Sequence, residues 1–179
     1  MKSTKQKEII SIRPLKVTDA RYYPKWLANP FISKFQFAQK PKRRTEKEQK
    51  EILSKILKNK NEKYFLILLG NCPIGTTSII IDEKNKCGNF SIMIGARKEW
   101  GKGYGRKAIQ LILNYAFYVL KLNRVELDVF SFNKRAINIY KKVGFKIEGK
   151  RRQKVFWNAK FYDEIEMGLL KSEWKIIKV

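Results

Sequence analysis

The chain contains no histidine and only two cysteines, Cys72 and Cys87. Without histidine there is no imidazole general base and no Ser-His-Asp triad. A zinc site of the usual Cys/His kind cannot be assembled from one chain. Proton transfer must therefore run through Tyr, Asp, Glu, Lys, Cys or water. Two cysteines without a disulfide pattern suit a reducing compartment, so the expected location is the cytoplasm. No hydrophobic run is long enough to span a bilayer, and LILNYAFYVL is short and broken by Asn114, so no membrane association is expected. The first residues carry no apolar segment before Arg13 and Pro14, which reads as the absence of a signal peptide.

Acidic side chains are also scarce. Against 40 Lys and Arg stand 16 Asp and Glu, a formal net charge of +24. That excess attracts polyanions such as RNA or phosphorylated ligands, although scattered lysines can equally serve only to solvate the surface. The best basic patches are Lys42–Arg44 and the stretch GKRRQK at 149–154, the latter next to Phe156 and Trp157. At 179 residues and 44% hydrophobic content, the chain is large enough for a real core.

Its most informative stretch is IMIGARKEWGKGYGRK, Ile92–Lys107. A strand runs into a loop where Gly101, Gly103 and Gly105 alternate with Lys102, Tyr104 and Arg106, and a long apolar helical pattern over Ala108–Lys121 follows. Glycines let a backbone approach a ligand closely, and the first turn of a helix offers N–H groups and a positive dipole end. The direct reading is a phosphate or pyrophosphate cradle; the plain one is a strand-to-helix turn.

Upstream, residues 1–8 read as frayed and Ile9–Lys16 as a first strand. A helix is expected over Ala20–Leu27, capped by Thr18 or Asp19 and ended by Asn29-Pro30. Phe31–Phe37 has no clear period and reads as core or as one wall of a substrate cleft. Thr45 and Glu48 fit a capping box for an amphipathic helix with Ile52, Leu53, Ile56 and Leu57 on one stripe. Lys63–Leu69, Ile74–Ile81 and Asn89–Gly95 read as antiparallel strands, with the cysteines in the turns. Beyond the long helix, Arg124–Phe130 alternates: Val125, Leu127 and Val129 against Glu126, Asp128 and Phe130. A short helix reaches Lys142 and stops at Gly144, and Phe145–Glu148 and Phe161–Leu170 read as closing strands around a turn at Trp157-Asn158. The order predicts an α+β fold with a mixed sheet, in one domain over residues 9–179.

WGKGYGRKA, VELDVFSFN and NKRAINIYKKVGF, in that order, resemble the GNAT family of N-acetyltransferases, in particular its RimJ/RimL-like branch. SIRPLKVTDA, FKIEG and FYDEIEMGLL resemble the branch's opening and closing elements, so the likeness covers nearly the whole chain. It implies a largely antiparallel sheet splayed between the fourth and fifth strands and flanked by helices. By the same likeness Gly101, Lys102, Gly103, Tyr104, Gly105 and Arg106 hold the pyrophosphate of acetyl-coenzyme A. The pantetheine arm would pair with backbone near Met93 and Ile94 like an added strand. Trp100 stands where the family often has Arg or Gln, an aromatic this branch tolerates.

Asn133 and Tyr140 match the family's spacing of an Asn and a Tyr separated by six residues. Taken alone, Tyr140 reads as a core tyrosine with a satisfied hydroxyl. In the resemblance it protonates the departing thiolate, and Asn133 binds cofactor or ordered water. A phenol with a reference pKa of about 10 is protonated at neutral pH and can donate without retuning. Asp128 lies where some peptide acetyltransferases of the family carry a base Glu; it is a candidate base, a water-orienting group or a satisfied strand carboxylate. The implied reaction is direct acetyl transfer from acetyl-coenzyme A to a primary amine in a ternary complex. The acceptor is a protein α-amine or a small-molecule amine such as an amino sugar, and the enzyme a monomer or homodimer. The global positive field argues mildly against a polycationic acceptor and for a ribosome-bound or phosphate-bearing one.

Two rivals remain at this level. A dinucleotide-binding domain would use the glycines, but their spacing is not GxGxxG and the upstream strands form hairpins. A non-catalytic RNA- or ribosome-binding module would use the basic surface.

Overall fold

A computed structural model describes residues 9–38 and 43–175; the stretch 1–8, expected to fray, lies outside the described residues. Seven strands form one sheet in the order β1-β2-β3-β4-β5-β7-β6. They are β1 (Ile10–Pro14), β2 (Glu62–Leu69), β3 (Cys72–Asp82), β4 (Cys87–Ile94), β5 (Arg124–Phe130), β6 (Lys146–Trp157) and β7 (Lys160–Leu170). All neighbours are antiparallel except β4 and β5. That parallel pair is bonded only where Cys87–Asn89 meets Arg124–Glu126. Beyond Asn89 and Glu126 the two strands continue but part, which is the splay expected between the fourth and fifth strands.

The helices are α1 (Tyr23–Leu27), α2 (Pro30–Phe37), α3 (Glu46–Ile56), α4 (Tyr104–Asn114) and α5 (Lys134–Val143). One face of the sheet carries α4 and α5. There Ile109, Ile112, Leu113, Phe117, Ile137 and Val143 pack on Phe90, Val125, Leu127, Val129 and Met167. The other face carries α1–α3, where Leu27, Ile32 and Leu53 cover Leu66 and Met93 at the β1–β4 end only. Over β5, β7 and β6 that second face has no helix among the described residues.

Several expected elements shift. Asp19 caps no α-helix, because both of its oxygens are taken by Arg13, at 2.7 and 2.8 Å, and one also accepts the Lys16 amide at 2.8 Å. The chain there forms a 3-10 turn, Val17–Tyr22, and the α-helix begins only at Tyr23. Asn29-Pro30 ends α1 and also starts α2. Asn29 Oδ1 accepts the Phe31 amide at 3.0 Å, and Pro30 occupies the first turn, where its missing N–H costs nothing. The aperiodic Phe31–Phe37 is therefore helix. It buries Ile32, while Phe31 is 48% exposed, so Phe31 is not core. The long helix opens at Tyr104 and widens into a π-turn at Tyr115–Val119. Strand β6 takes in all of GKRRQK, with irregular pairing between Arg151 and Val155. Cys72 and Cys87 do not sit in turns: they are the first residues of β3 and β4, paired with Leu69 and Asp82 respectively.

Candidate active site

The parting of β4 and β5 organises the site. At its mouth the glycine loop adopts the backbone its residues predict. Gly101 and Gly103 have φ of +88° and +86°, a left-handed conformation that disfavours any Cβ, and nothing lies within 4 Å of where a Cβ would sit. Gly103 is also the N-cap of α4, whose first bond outside its own span is Lys107 N–H to the Gly103 carbonyl at 3.2 Å. Helix geometry turns the preceding amides of Tyr104, Gly105 and Arg106 outward, toward any anion over the loop. Gly105 differs: its φ is ordinary, and a Cβ would rest 3.6 Å from Ile94. Lys102 is partly committed, with its Nζ 2.9 Å from the buried carboxylate of Glu99. Arg106 is exposed beside it.

Where β4 leaves β5, strand edges need new partners. Met93 and Ile94 pair with Thr76 and Gly75 on one side. The Ile94 carbonyl also accepts the Trp100 indole N–H at 2.8 Å, so Trp100 pins the start of the loop to the end of β4. Sequence reading treated Trp100 as a tolerated departure and missed this bond.

Asn133 is the N-cap of α5, its Oδ1 accepting the Ala136 amide at 3.2 Å. About two turns along, Tyr140 is 9% exposed. Its ring lies edge-on to Phe90 at 6.3 Å and to Phe145 at 5.8 Å. Phe90 directly follows Asn89, the last β4 residue paired with β5, so Tyr140 packs at the apex of the opening. Burial pushes its hydroxyl above the ordinary phenol range, so it holds its proton.

Asp128 is on the other side of the sheet. It shares a strand face with Glu126, whereas Val125, Leu127 and Val129 join the core that holds Tyr140. Burial raises the Asp128 carboxyl, and the neighbouring Glu164, Glu166 and Glu126 push the same way against the lowering effect of Arg151. A cavity of about 260 Å³ opens here, beside Asn89 and Leu127. Glu126, Asp128, Glu148 and Glu166 line it with Arg124 and Arg151, four carboxylates against two guanidiniums, or a net −2. The arginines hold the carboxylates in place: Arg124 bridges Glu126 at 2.9 Å and Glu148, and Arg151 bridges Glu164 at 2.9 Å, Asp128 at 3.5 Å and Glu166. Sequence reading singled out Asp128 and set Glu126 on the same strand face, but not Glu148, Glu164 or Glu166. The signal available was the period-2 spacing of Glu164 and Glu166 on β7.

The two basic patches fare differently. Within GKRRQK, Lys150 meets Asp163 at 3.5 Å and Arg151 is bridged by several carboxylates, so two of the run's four cations are paired with acids. Of Lys42–Arg44, Lys42 lies outside the described residues, and Arg44 contacts Gln49 at 3.5 Å. Among the described residues no group of three or more His, Cys, Asp or Glu side chains could hold a metal ion, and no helix is long and apolar enough to cross a membrane.

The spermidine N(1)-acetyltransferase of Escherichia coli is 26% identical over 166 residues, 92% of this chain and 88% of the relative. Acetyltransferase PseH of Campylobacter jejuni is 29% identical over 123 residues, 69% of this chain and 74% of the relative. The crystal structure of spermidine N-acetyltransferase from Vibrio cholerae, in complex with CoA and spermine, superposes with a TM-score of 0.84 at 27% identity, covering 92% of this chain and 96% of that one. Residues 10–146 match the family described as acetyltransferase (GNAT) domain. The chain belongs to the GNAT family and is an acetyl-coenzyme A-dependent N-acetyltransferase acting on an amine.

Proposed function

We propose that the acceptor is a small polycationic amine of the polyamine class, which enters on the acidic face of the sheet and is acetylated by direct attack. The observation that carries this reading is the sign of the cavity beside the splay. A chain of net charge +24 gathers four carboxylates against two guanidiniums there. A local field of that sign offsets the global one at short range, because charges farther than about 10 Å are screened at ordinary ionic strength. The mild argument from net charge against a polycation thus loses its force. The names of the Escherichia coli and Vibrio cholerae proteins point the same way.

In this reading the glycine loop and the first turn of α4 grip the diphosphate of acetyl-coenzyme A, which supplies the activated acyl group. Asn133 and the free edge of β4 orient the arm between the strands. Asp128 removes a proton from the acceptor ammonium, directly or through water, so that the neutral amine attacks the thioester carbonyl. Tyr140, approaching from the opposite face, gives its proton to the sulfur as the carbon–sulfur bond breaks, and the proton that the acylated nitrogen sheds passes to solvent, from which the phenol regains its own. Acid and base thus reach one reacting centre from two sides, each in the surroundings its task needs.

The test is an acceptor panel with acetyl-coenzyme A, read by free-thiol release and by mass. Spermidine, spermine and shorter diamines should gain 42 Da (the mass of one acetyl group, about that of C2H2O) with higher kcat/KM than amino sugars or peptides with free α-amines. Preference for the peptides, or for the amino sugars, would sink the polyamine assignment and leave the acetyltransferase intact.

A further inference from the structure

Cations meet the mouth of the cleft in an unusual way. The guanidinium carbon of Arg97, in the turn after β4, lies 3.7 Å from the centre of the Phe31 ring and 5.3 Å from that of Trp100. Arg135, in the first turn of α5 on the other wall, lies 5.0 Å from the same indole. Lys34 on α2 sits 5.5 Å from both Phe35 and Phe132. Three elements therefore bring three cations to one opening, each resting on aromatic faces.

Neither Arg97 nor Arg135 has a carboxylate within ion-pair range among the described residues. The nearby carboxylate of Glu99 is engaged by Lys102 at 2.9 Å and approached by Lys98 at 3.9 Å. Arg13, Arg124 and Arg151, by contrast, are each held by acids. The difference matters chemically. A carboxylate orients a guanidinium and cancels its charge. An aromatic face orients it and leaves both the charge and the planar N–H edge available. Both guanidiniums lie near one indole with no acid to offset either, a pairing that an added anion would stabilise.

We infer that Arg97 and Arg135, held on the rings of Phe31 and Trp100, form a two-sided clamp for a phosphate of the acyl carrier at the start of the glycine loop. This rests on the reading that Gly101–Arg106 cradle the carrier's diphosphate. It adds residues from outside the loop, one of them from the far wall. Phe31 and Trp100 are positioning residues: they touch the guanidiniums and set their direction. Because Trp100 is tied to Ile94, the clamp is also registered to the strand along which the acyl arm would lie. The exposed ring of Phe31, which core packing does not account for, gains a role.

Calorimetric titration of the full chain with coenzyme A and with 3′-dephospho-coenzyme A tests this. Arg97→Ala and Arg135→Ala should each raise the Kd for coenzyme A about tenfold, the scale of one charge-assisted hydrogen bond. Unchanged affinity for the dephospho compound would locate the clamp on the 3′-phosphate, and an equal loss on both ligands would locate it on the diphosphate; either supports the inference. Phe31→Leu keeps every charge, and a roughly threefold loss would show that ring-held orientation matters. If wild type binds coenzyme A and all three variants bind it within twofold as tightly, the clamp is overturned while the glycine-loop reading survives. If wild type does not bind coenzyme A, both go. Unfolding midpoints close to wild type would show that any losses are not due to misfolding.

Discussion

The two faces of the sheet at the splay are built from the same strands and could hardly differ more. Toward α4 and α5, Val125, Leu127 and Val129 are all within 6% of complete burial and meet a closed apolar layer. Toward the open side, Glu126 and Asp128 from the same strand meet Glu166 and Arg151 in a half-exposed lattice of ion pairs. A period of two along β5 is enough to make the difference. The dry face keeps Tyr140 protonated by withholding water. On the wet face Asp128 keeps a raised but accessible carboxyl beside groups that can exchange partners. In the proposed mechanism a proton donor and a proton acceptor need opposite surroundings, and the alternation of β5 separates the dry face on which Tyr140 of α5 packs from the wet face that carries Asp128.

Removing the hydroxyl from the dry face should give the largest effect. Tyr140→Phe keeps the edge contacts with Phe90 and Phe145, and kcat should fall by about 10²–10⁴ while the Kd for coenzyme A changes less than twofold. Equal losses in both would make Tyr140 a packing residue. On the wet face, Asp128→Asn should lower kcat/KM by roughly ten- to a hundredfold, less than the tyrosine because water can relay the proton. The pH profile sharpens the contrast. Asp128 titrates above its ordinary range and must be ionised to act, so activity in the wild type should rise with pH through that raised pKa. In the Asn variant that limb should disappear; its survival would assign it to another group.

A control for both faces lies far from either. Asp19 is 3% exposed; burial pushes its carboxyl up, but two hydrogen bonds from Arg13 and one from the Lys16 amide outweigh that and hold it below the usual carboxylate range. A depressed folded-state pKa gives stability that is present above the unfolded pKa and lost as pH falls through the folded one. Asp19→Asn should cost about 3 kcal/mol at pH 7, at the low end for breaking a buried pair because Arg13 is partly exposed. The deficit should shrink toward acid pH in denaturant titrations, and turnover per folded molecule should stay near wild type.

How much of this could be read from the letters depends on the range of the interactions. The glycine loop, the capping box at Thr45 and the alternation of β5 are local patterns, and all three were legible. Helix α2 was not, since Phe31–Phe37 has no period. What makes it helical is Asn29 and Pro30 at its start and the burial of Ile32 and Ser33 in the tertiary core. The length of β6 was hidden for another reason. As an edge strand it is exposed over nearly its whole length, so GKRRQK shows no alternation and reads as a basic loop. Least legible was the acidic cavity. Its ion pairs join β5, β6 and β7 across separations such as Arg124 to Glu148, and a net charge of +24 conceals a local −2.

The smallest effect separates glycines that look alike. Gly101 and Gly103 have positive φ, so alanine at either should destabilise by about 1–2 kcal/mol, the cost of a Cβ in the left-handed region. Gly105 lies within the first turn of α4 at ordinary φ, and a methyl there would make only van der Waals contact with Ile94 at 3.6 Å. Gly105→Ala should therefore stabilise by about 0.5–1 kcal/mol through the loss of unfolded-state freedom. The same methyl stands beside an amide proposed to face the diphosphate, so its effect on coenzyme A affinity asks a separate question from its effect on stability. A gain in Tm with unchanged Kd would place the required close approach at Gly101 and Gly103, where the backbone already demands glycine. A gain in Tm with weakened Kd would extend the cradle to Gly105, kept free of a side chain for the ligand's sake and against the preference of the helix.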